Sequence, residues 1–547
     1  MDKRLFLTIA ICLGMFVVFQ ALFPQQRRSS APVAGPAADA PAATTAPSAG
    51  AATTPTAGPS GAAAPRPKED VVAIATSKLR LGFSTYGAGI KEAVLLGEKF
   101  RRKGTGDQVA LVAPPPGAST ALATSLSGGA QLGDAEAWAV ESRKASGVVF
   151  TRAVGRLTLT KTYDVRPDAY TLDISLQLKN DGPEAVRADL TTSYPELLSA
   201  SAARGGAYFS QPKDQPRAIC RAGEAVERLG LDPKKPSETP PGVASFIGID
   251  ERYFLGSVLP VPADGRCELS DSPVAGGVAL GARLVQPVMV PPGGSVTKVF
   301  IGYFGPKNTE LLSAGDLAGA RLDESIEFGF WGIIARFLLF VLKLFHGVVA
   351  NWGVCIILLT VAVKAATLPL TQKSMRSMEK MKQLQPQIDA LKKKHATDQQ
   401  AFAAAQMNLF KEQGVNPLGC ATMFLQMPIW IALYTTLQTS VELYQAPFVR
   451  GWISDLTAPD LMFAQWPWLH ILPILMGGTT YLTQLLTPQT GANAQQMKMM
   501  TYFMPILFTG MMWSLPSGLT LYIFTNNILS ILQQVYIRRT QVQLARP

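Results

Sequence analysis

Histidine and cysteine are scarce, three and five in 547 residues. No CxxC pair and no Cys/His cluster at metal-ligand spacing occurs, so neither a metal site nor a dithiol centre is expected. The middle of the chain has no nucleophile elbow, phosphate-binding loop or paired-carboxylate arrangement, and no nucleotide site is visible elsewhere. The expectation is therefore a protein without catalytic residues or cofactors, and not an enzyme. The formal charge of +11 is not by itself a nucleic-acid signature, because the cytoplasmic face of a membrane protein is basic anyway. Direct DNA binding is not expected.

Apolar residues make up 48% of the chain and its mean hydropathy is positive, +0.17. They are unevenly spread, concentrated in residues 5–23 and in roughly the last 220 residues. Residues 1–24 resemble a signal peptide, but the apolar run is long for one. No small-x-small site follows directly, so it reads as an uncleaved transmembrane anchor. Residues 25–68 are almost entirely Ala, Pro, Thr, Ser and Gly, too poor in large apolar groups to fold, and form a flexible linker. From Val71 the pattern has period two. Tyr170, Leu172, Ile174, Leu176 and Leu178 alternate with polar residues, Leu157 and Leu159 begin a preceding strand, and Arg166–Ala169 (RPDA) supplies the turn. Similar strands at 243–259 and 283–304 complete the expectation of a large antiparallel β-sandwich over 69–325, a binding or scaffold module. Leu311–Arg321 is expected to be a connecting helix. Cys220 and Cys267 both fall in this domain; they can pair if it is exported to an oxidising compartment, and otherwise are two free thiols.

The later apolar segments are 350–372, 418–443, 467–486, 499–514 and 517–536, with a loop at 444–466. Residues 328–347 carry Arg336 and Lys343 seven apart, which favours an amphipathic helix lying in the interface over a crossing one. With that choice the basic loop 373–417 and the basic tail 537–547 fall inside, and the acidic loop outside. Both termini are then cytoplasmic and the β domain is external. The basic loop has its own 3-4-3 apolar spacing at Met381, Leu384, Ile388 and Leu391, answered by Phe402, Ala405 and Leu409. HATDQQ (395–400) connects the two runs into a cytoplasmic helical hairpin that stops at Gly414 and Pro417. Met375, Met378, Lys380, Lys382, Lys392, Lys393 and Lys394 are its candidate contacts with clients, ribosomal RNA or anionic lipids. The plainer account of the charges is a solvated face that fixes topology.

One lysine, Lys364, interrupts the apolar run Trp352–Leu370. A charge there costs a few kcal/mol on insertion scales, so it needs water, a partner or a purpose. Thr360, Lys364, Thr367 and Thr371 share one helix face. Either Lys364 snorkels to the inner edge, or it lines a hydrated cavity open to that side; roughly 12 Å of helix to the edge favours the cavity. Gln426, Thr520, Tyr522, Thr525, Asn526 and Asn527 add polar groups in other spans, each of which alone is also explained as interhelical glue.

At these residues the chain resembles the YidC/Oxa/Alb family of membrane-protein insertases, and within it the form of the Gram-negative inner membrane. The resemblance runs through NWG (351–353), PLT (369–371), LQPQI (384–388), VNPLG (415–419), LQMPI (425–429), SVEL (440–443), QAPF (445–448), MPI (504–506) and PSGLTLY followed by FTNN. It implies an α + β membrane protein with six transmembrane helices, five of them forming the insertase core, plus a periplasmic antiparallel β-sandwich. It also implies a hydrophilic groove open to cytoplasm and lipid and sealed towards the periplasm. Clients are nascent membrane proteins, taken alone or with the Sec translocon, with the ribosome and anionic lipids as further partners of a monomer. Driving force then comes from client hydrophobicity and the proton-motive force. The groove residues this places are Lys364, Thr360, Thr367, Gln426, Thr520, Tyr522, Asn526 and Asn527. Many members carry arginine where this chain has Lys364, and a second tyrosine where it has Ile523. A secondary transporter and a purely structural subunit are the rival readings; the first usually shows repeated halves and several intramembrane charges.

Overall fold

The structure, a computed structural model, describes residues 68–544 apart from 103–105, 115–118, 200–214, 231–236, 275–276, 396–397, 415–420, 464 and 487–498. The expectations for the anchor and nearly all of the linker lie outside the described residues.

Strict alternation builds the β domain. In β8 (Leu157–Val165) residues 157, 159, 161, 163 and 165 point inward, and in β9 (Thr171–Asn180) Leu172, Ile174, Leu176 and Leu178 do the same. The two pair antiparallel through the Arg166–Ala169 turn, with Val165 opposite Leu172 and Leu157 opposite Asn180. Among the described residues eighteen strands form a nine-stranded, a five-stranded and a four-stranded antiparallel sheet. A single apolar core joins residues of all three, from Phe83 through Phe150 and Tyr163 to Tyr194 and Leu284. Cys220 on β11 (Arg217–Ala222) is bonded to Cys267 on β16 (Arg266–Val274), which ties the nine-stranded sheet to the five-stranded one. Lys161 occupies an inward position of β8, where its ammonium donates to Leu122 O at 2.6 Å and Thr124 Oγ1 at 2.8 Å. Burial pulls its pKa down to about 7.

The expected connecting helix over 311–321 is instead one α-turn, α1 (Thr309–Leu312), followed by two 3-10 turns, Gly315–Ala320 and Leu322–Ser325. Gly315 at φ 55° and Arg321 at φ 53° break the helix twice. The amphipathic helix α2 (Gly332–His346) begins four residues later than expected, after Gly329 at φ 68°. Ala335, Leu338, Leu339 and Leu342 are buried on its inner side, while Ile333, Phe337, Phe340 and Leu344 are exposed at helical spacing on the other. An exposed apolar stripe of that kind belongs against lipid acyl chains.

Helix α3 (Trp352–Gln383) runs 32 residues, so it does not stop near 372: its polar second half carries no glycine or cap to end it. Its Trp352–Ser374 stretch is, among the described residues, the one helix long and apolar enough to cross a membrane. A break at Leu384 leads to α4 (Gln385–Lys394), and Asp398 caps α5 (Gln399–Glu412) by accepting from the backbone of Gln400 and Ala401. Leu384, Ile388 and Phe410 close the hairpin with Met381, Phe402 and Leu409. Three more helices continue the bundle: α6 (Ala421–Thr439), α7 (Ile471–Leu486) and α8 (Met504–Met512). A single π-helical turn, Met499–Phe503, precedes α8. The last helix, α9 (Ser517–Leu544), continues past the expected end at 536.

The β domain is bolted to the helices through the segment after α6. Tyr444 packs tilted against Tyr253 and edge-to-face against Phe254, at ring distances of 5.0 and 5.3 Å, and its hydroxyl donates to Arg101 O at 3.1 Å. Tyr253 donates to Leu437 O at 3.1 Å and Arg252 to Gln438 O at 3.0 Å. Glu442 collects Lys343 of α2 at 2.8 Å and Asn308 at 2.9 Å, while its carbonyl accepts from Lys99 at 3.1 Å.

Candidate functional site: a polar relay inside the helical bundle

Lys364 sits in α3 about 18 Å along the axis from Trp352. Its Nζ donates to Ser530 Oγ of α9 at 2.8 Å. Ser530 in turn donates to Asn526 O at 2.7 Å, and Asn526 Oδ1 accepts from Gln426 Nε2 of α6 at 2.6 Å. Hydrogen bonds therefore link α3 to α9 and α9 to α6, meeting at separate backbone and side-chain oxygens of Asn526. Asn527, one residue on, turns to the other side and donates to Thr480 Oγ1 of α7 at 2.8 Å. Among the described residues no carboxylate pairs with Lys364, and Ser530 is its one hydrogen-bond partner. The neighbouring Ala362, Ala365 and Ala366 are exposed.

The remaining expected site residues are placed differently. Thr360, Thr367 and Thr371 turn their hydroxyls back onto their own helix, to Ile356 O at 2.7 Å, Val363 O at 2.9 Å and Thr367 O at 2.9 Å. A threonine bonded in this way keeps no strong donor for a partner helix. Thr520 does likewise to Pro516 O at 3.4 Å. Tyr522 is fully buried in the apolar cluster with Ile356, Leu433 and Leu437. The structure thus gathers Lys364, Gln426 and Asn526, with Asn527 adjoining and the Tyr522 hydroxyl beside Gln426, and sets Thr360 and Thr520 within packed helix contacts. On the hairpin Lys380, Lys393 and Lys394 are exposed; the side chains of Met375, Met378, Lys382 and Lys392 lie outside the described residues.

Ser530 and Thr480 were not anticipated. The signal for Ser530 was its place four residues after Asn526, on the same face of α9; Thr480 carries no such marker.

The outer end of the bundle is closed by backbone and caps. Asn351 accepts from Gly353 N at 2.9 Å and Val354 N at 3.1 Å, capping α3, and donates to Phe448 O at 3.1 Å. Asp460 accepts from Ile471 N at 2.9 Å, Leu472 N at 3.0 Å and Trp452 Nε1 at 3.0 Å, capping α7. Ser517 N and Gly518 N at the start of α9 donate to Ala458 O and Leu456 O, at 2.7 and 2.9 Å. One segment therefore binds the outer ends of three helices.

Residues 71–341 match the family model of the YidC periplasmic domain, and residues 344–544 that of the 60Kd inner membrane protein. An Anaeromyxobacter protein, the membrane protein insertase YidC, is 37% identical over 565 residues, covering 100% of this chain and 98% of its own. The chain belongs to the YidC family of membrane protein insertases. The YidC of Pelobacter propionicus is 32% identical over 564 residues, covering 98% of this chain and 99% of its own. A solved structure, described as an active YidC insertase with its first transmembrane domain resolved, is similar at 18% identity. That match covers 85% of this chain and 92% of the other with a TM-score of 0.36; the family assignment rests on the sequence matches. This insertase is accordingly an inner-membrane protein with a periplasmic β-sandwich, and not an enzyme.

Proposed function

We propose that this YidC-family insertase moves client segments into the inner membrane past Lys364, along a hydrophilic groove open to cytoplasm and lipid. The observation that carries the reading is an ammonium within an apolar helix that has, among the described residues, a hydroxyl but no carboxylate as its partner. An intramembrane charge left without a counter-ion is costly and is retained where an anionic guest completes it. A client helix slides against the bundle while its short polar flank enters beside Lys364, so no backbone group is stranded in hydrocarbon. Gln426 and Asn526 extend the polar path, and the capped outer end supports a seal towards the periplasm. Thr360, Thr367, Thr520, Tyr522 and Asn527 line or support the same path. Both termini lie in the cytoplasm, and the basic hairpin meets nascent chains, the ribosome or anionic head groups there. The protein acts as a monomer, alone or with the Sec translocon, and also assists the folding of its clients.

The test is insertion of single-span reporters in cells depleted of their own insertase and supplied with Lys364 variants at matched abundance. Lys364→Ala should impair reporters with acidic translocated flanks more than Lys364→Arg does. Equal insertion by all three forms removes Lys364 from the mechanism, and normal insertion without any insertase returns the choice to a transporter or scaffold.

A further inference from the structure

Lys364 uses one of its three ammonium protons on a neutral hydroxyl, and that hydroxyl is itself fixed. Ser530 is 8% exposed and spends its own proton on Asn526 O at 2.7 Å, so its oxygen meets Lys364 as an acceptor only. Gln426 holds the Asn526 side chain at 2.6 Å. The result is a built acceptor on α9 that points the ammonium inward from α3 without cancelling its charge. A carboxylate at the same position would form a charge-assisted bond and neutralise the lysine. An apolar residue there would leave the lysine free to swing along its stem to the membrane edge.

We propose that Ser530 is the positioning and specificity-determining residue of the insertase: it holds Lys364 in the bundle by a bond weak enough for a client carboxylate to replace. The inference rests on the proposed role of Lys364. The exchange is an acceptor swap at Nζ. A client carboxylate takes over the ammonium hydrogen bond, Ser530 keeps its donation to Asn526 O, and the neutral hydroxyl is left with an open lone pair rather than a stranded charge. Buried donors and charges are expensive to strand, whereas a hydroxyl oxygen with one satisfied bond is cheap to uncover. A serine therefore suits a partner that must be surrendered and regained at each insertion.

The probes are two single-span reporters identical except that the translocated flank carries two aspartates in one and two asparagines in the other. The full-length protein inserts them in depleted cells, with abundance and thermal midpoint matched for every variant. Ser530→Asp should lower insertion of the aspartate reporter about tenfold and leave the asparagine reporter within about twofold, the worth of one charge-assisted bond. Ser530→Ala should shrink the difference between the reporters, and Ser530→Thr, which retains the hydroxyl, should restore it. A purely structural role moves both reporters together, and that result overturns the inference. So does an unchanged reporter ratio in Ser530→Asp while Lys364→Ala still alters it. An unchanged ratio in Lys364→Ala itself sinks the underlying groove reading instead.

Discussion

Removing the bond between Cys220 and Cys267 should destabilise the periplasmic domain without touching insertion at permissive temperature. The two cysteines are 47 residues apart in sequence, and both are fully buried. Closing a loop of that length lowers the entropy of the unfolded chain by about 14 cal/mol/K, or about 4 kcal/mol at 25 °C. For a domain of this size each kcal/mol moves the midpoint by about 2–4 °C, so Cys220→Ala with Cys267→Ala should lower it by roughly 8–16 °C. Alanine avoids the extra cost of burying an unpartnered hydroxyl. The assay is thermal unfolding of the full-length protein in nanodiscs, followed by protease susceptibility of the β domain. Cys355→Ala serves as the control, because that free thiol lies in α3 and outside the β domain. A double variant that melts within about 2 °C of the parent would refute the loop-entropy argument. A fall that also abolishes reporter insertion at 20 °C would refute the independence of the domain's stability from the helical site.

The outer closure should be sensitive to one methyl group. A Cβ on Gly353 would lie 2.2 Å from Phe448 Cδ2, so Gly353→Ala should cost about 1–3 kcal/mol of stability. Phe448→Ala in the same chain should recover part of it, since neighbours in contact are not additive; additive losses in a double-mutant cycle would remove the clasp. A pH series tests the acidic pocket near the junction of the two domains. Burial, aided by Glu251, raises Glu196 to about 8, and burial raises Glu251 to about 7 against the pull of Arg102. Both folded values lie above the unfolded one, so their stabilisation is complete below about pH 4.5 and is lost as pH rises to 7 or 8. Up to about pH 6 Lys161 is charged in both states and adds no slope; nearer its folded value of about 7 it begins to oppose the fall, so the slope is read between about pH 5 and 6. The midpoint should therefore fall across that window, and Glu251→Gln should flatten the fall; identical slopes in variant and parent would refute the assignment.

Much of this was legible because the relevant signals are local. Alternation in residues 157–178 gives the hairpin and its inward face directly, and the 3-4 spacing from Met381 to Leu409 gives the hairpin of helices. Lys364 declared itself as the charge in an apolar run. What failed to show depends on partners distant in sequence. Whether Cys220 meets Cys267 follows from two sheets stacking, which neither strand encodes alone. The hydroxyls of Thr360 and Thr520 bond back to Ile356 O and Pro516 O, because a helical threonine finds its nearest acceptor one turn back. Lys161 breaks the apolar face of its own strand, and period two cannot say that Leu122 and Thr124 wait opposite. The long α3 was cut short at 372 because polarity changes there; a helix leaving a membrane changes solvent without changing conformation.

Pro369 lies within α3, five residues beyond Lys364. Having no amide hydrogen, it withholds the donor that the carbonyl of Ala365 would receive in an unbroken helix. The residue directly after the lysine therefore presents an oxygen in want of a hydrogen at the depth where lipid supplies none. A water molecule would satisfy it. The proline thus leaves a polar point in the backbone directly after Lys364, within the same apolar stretch.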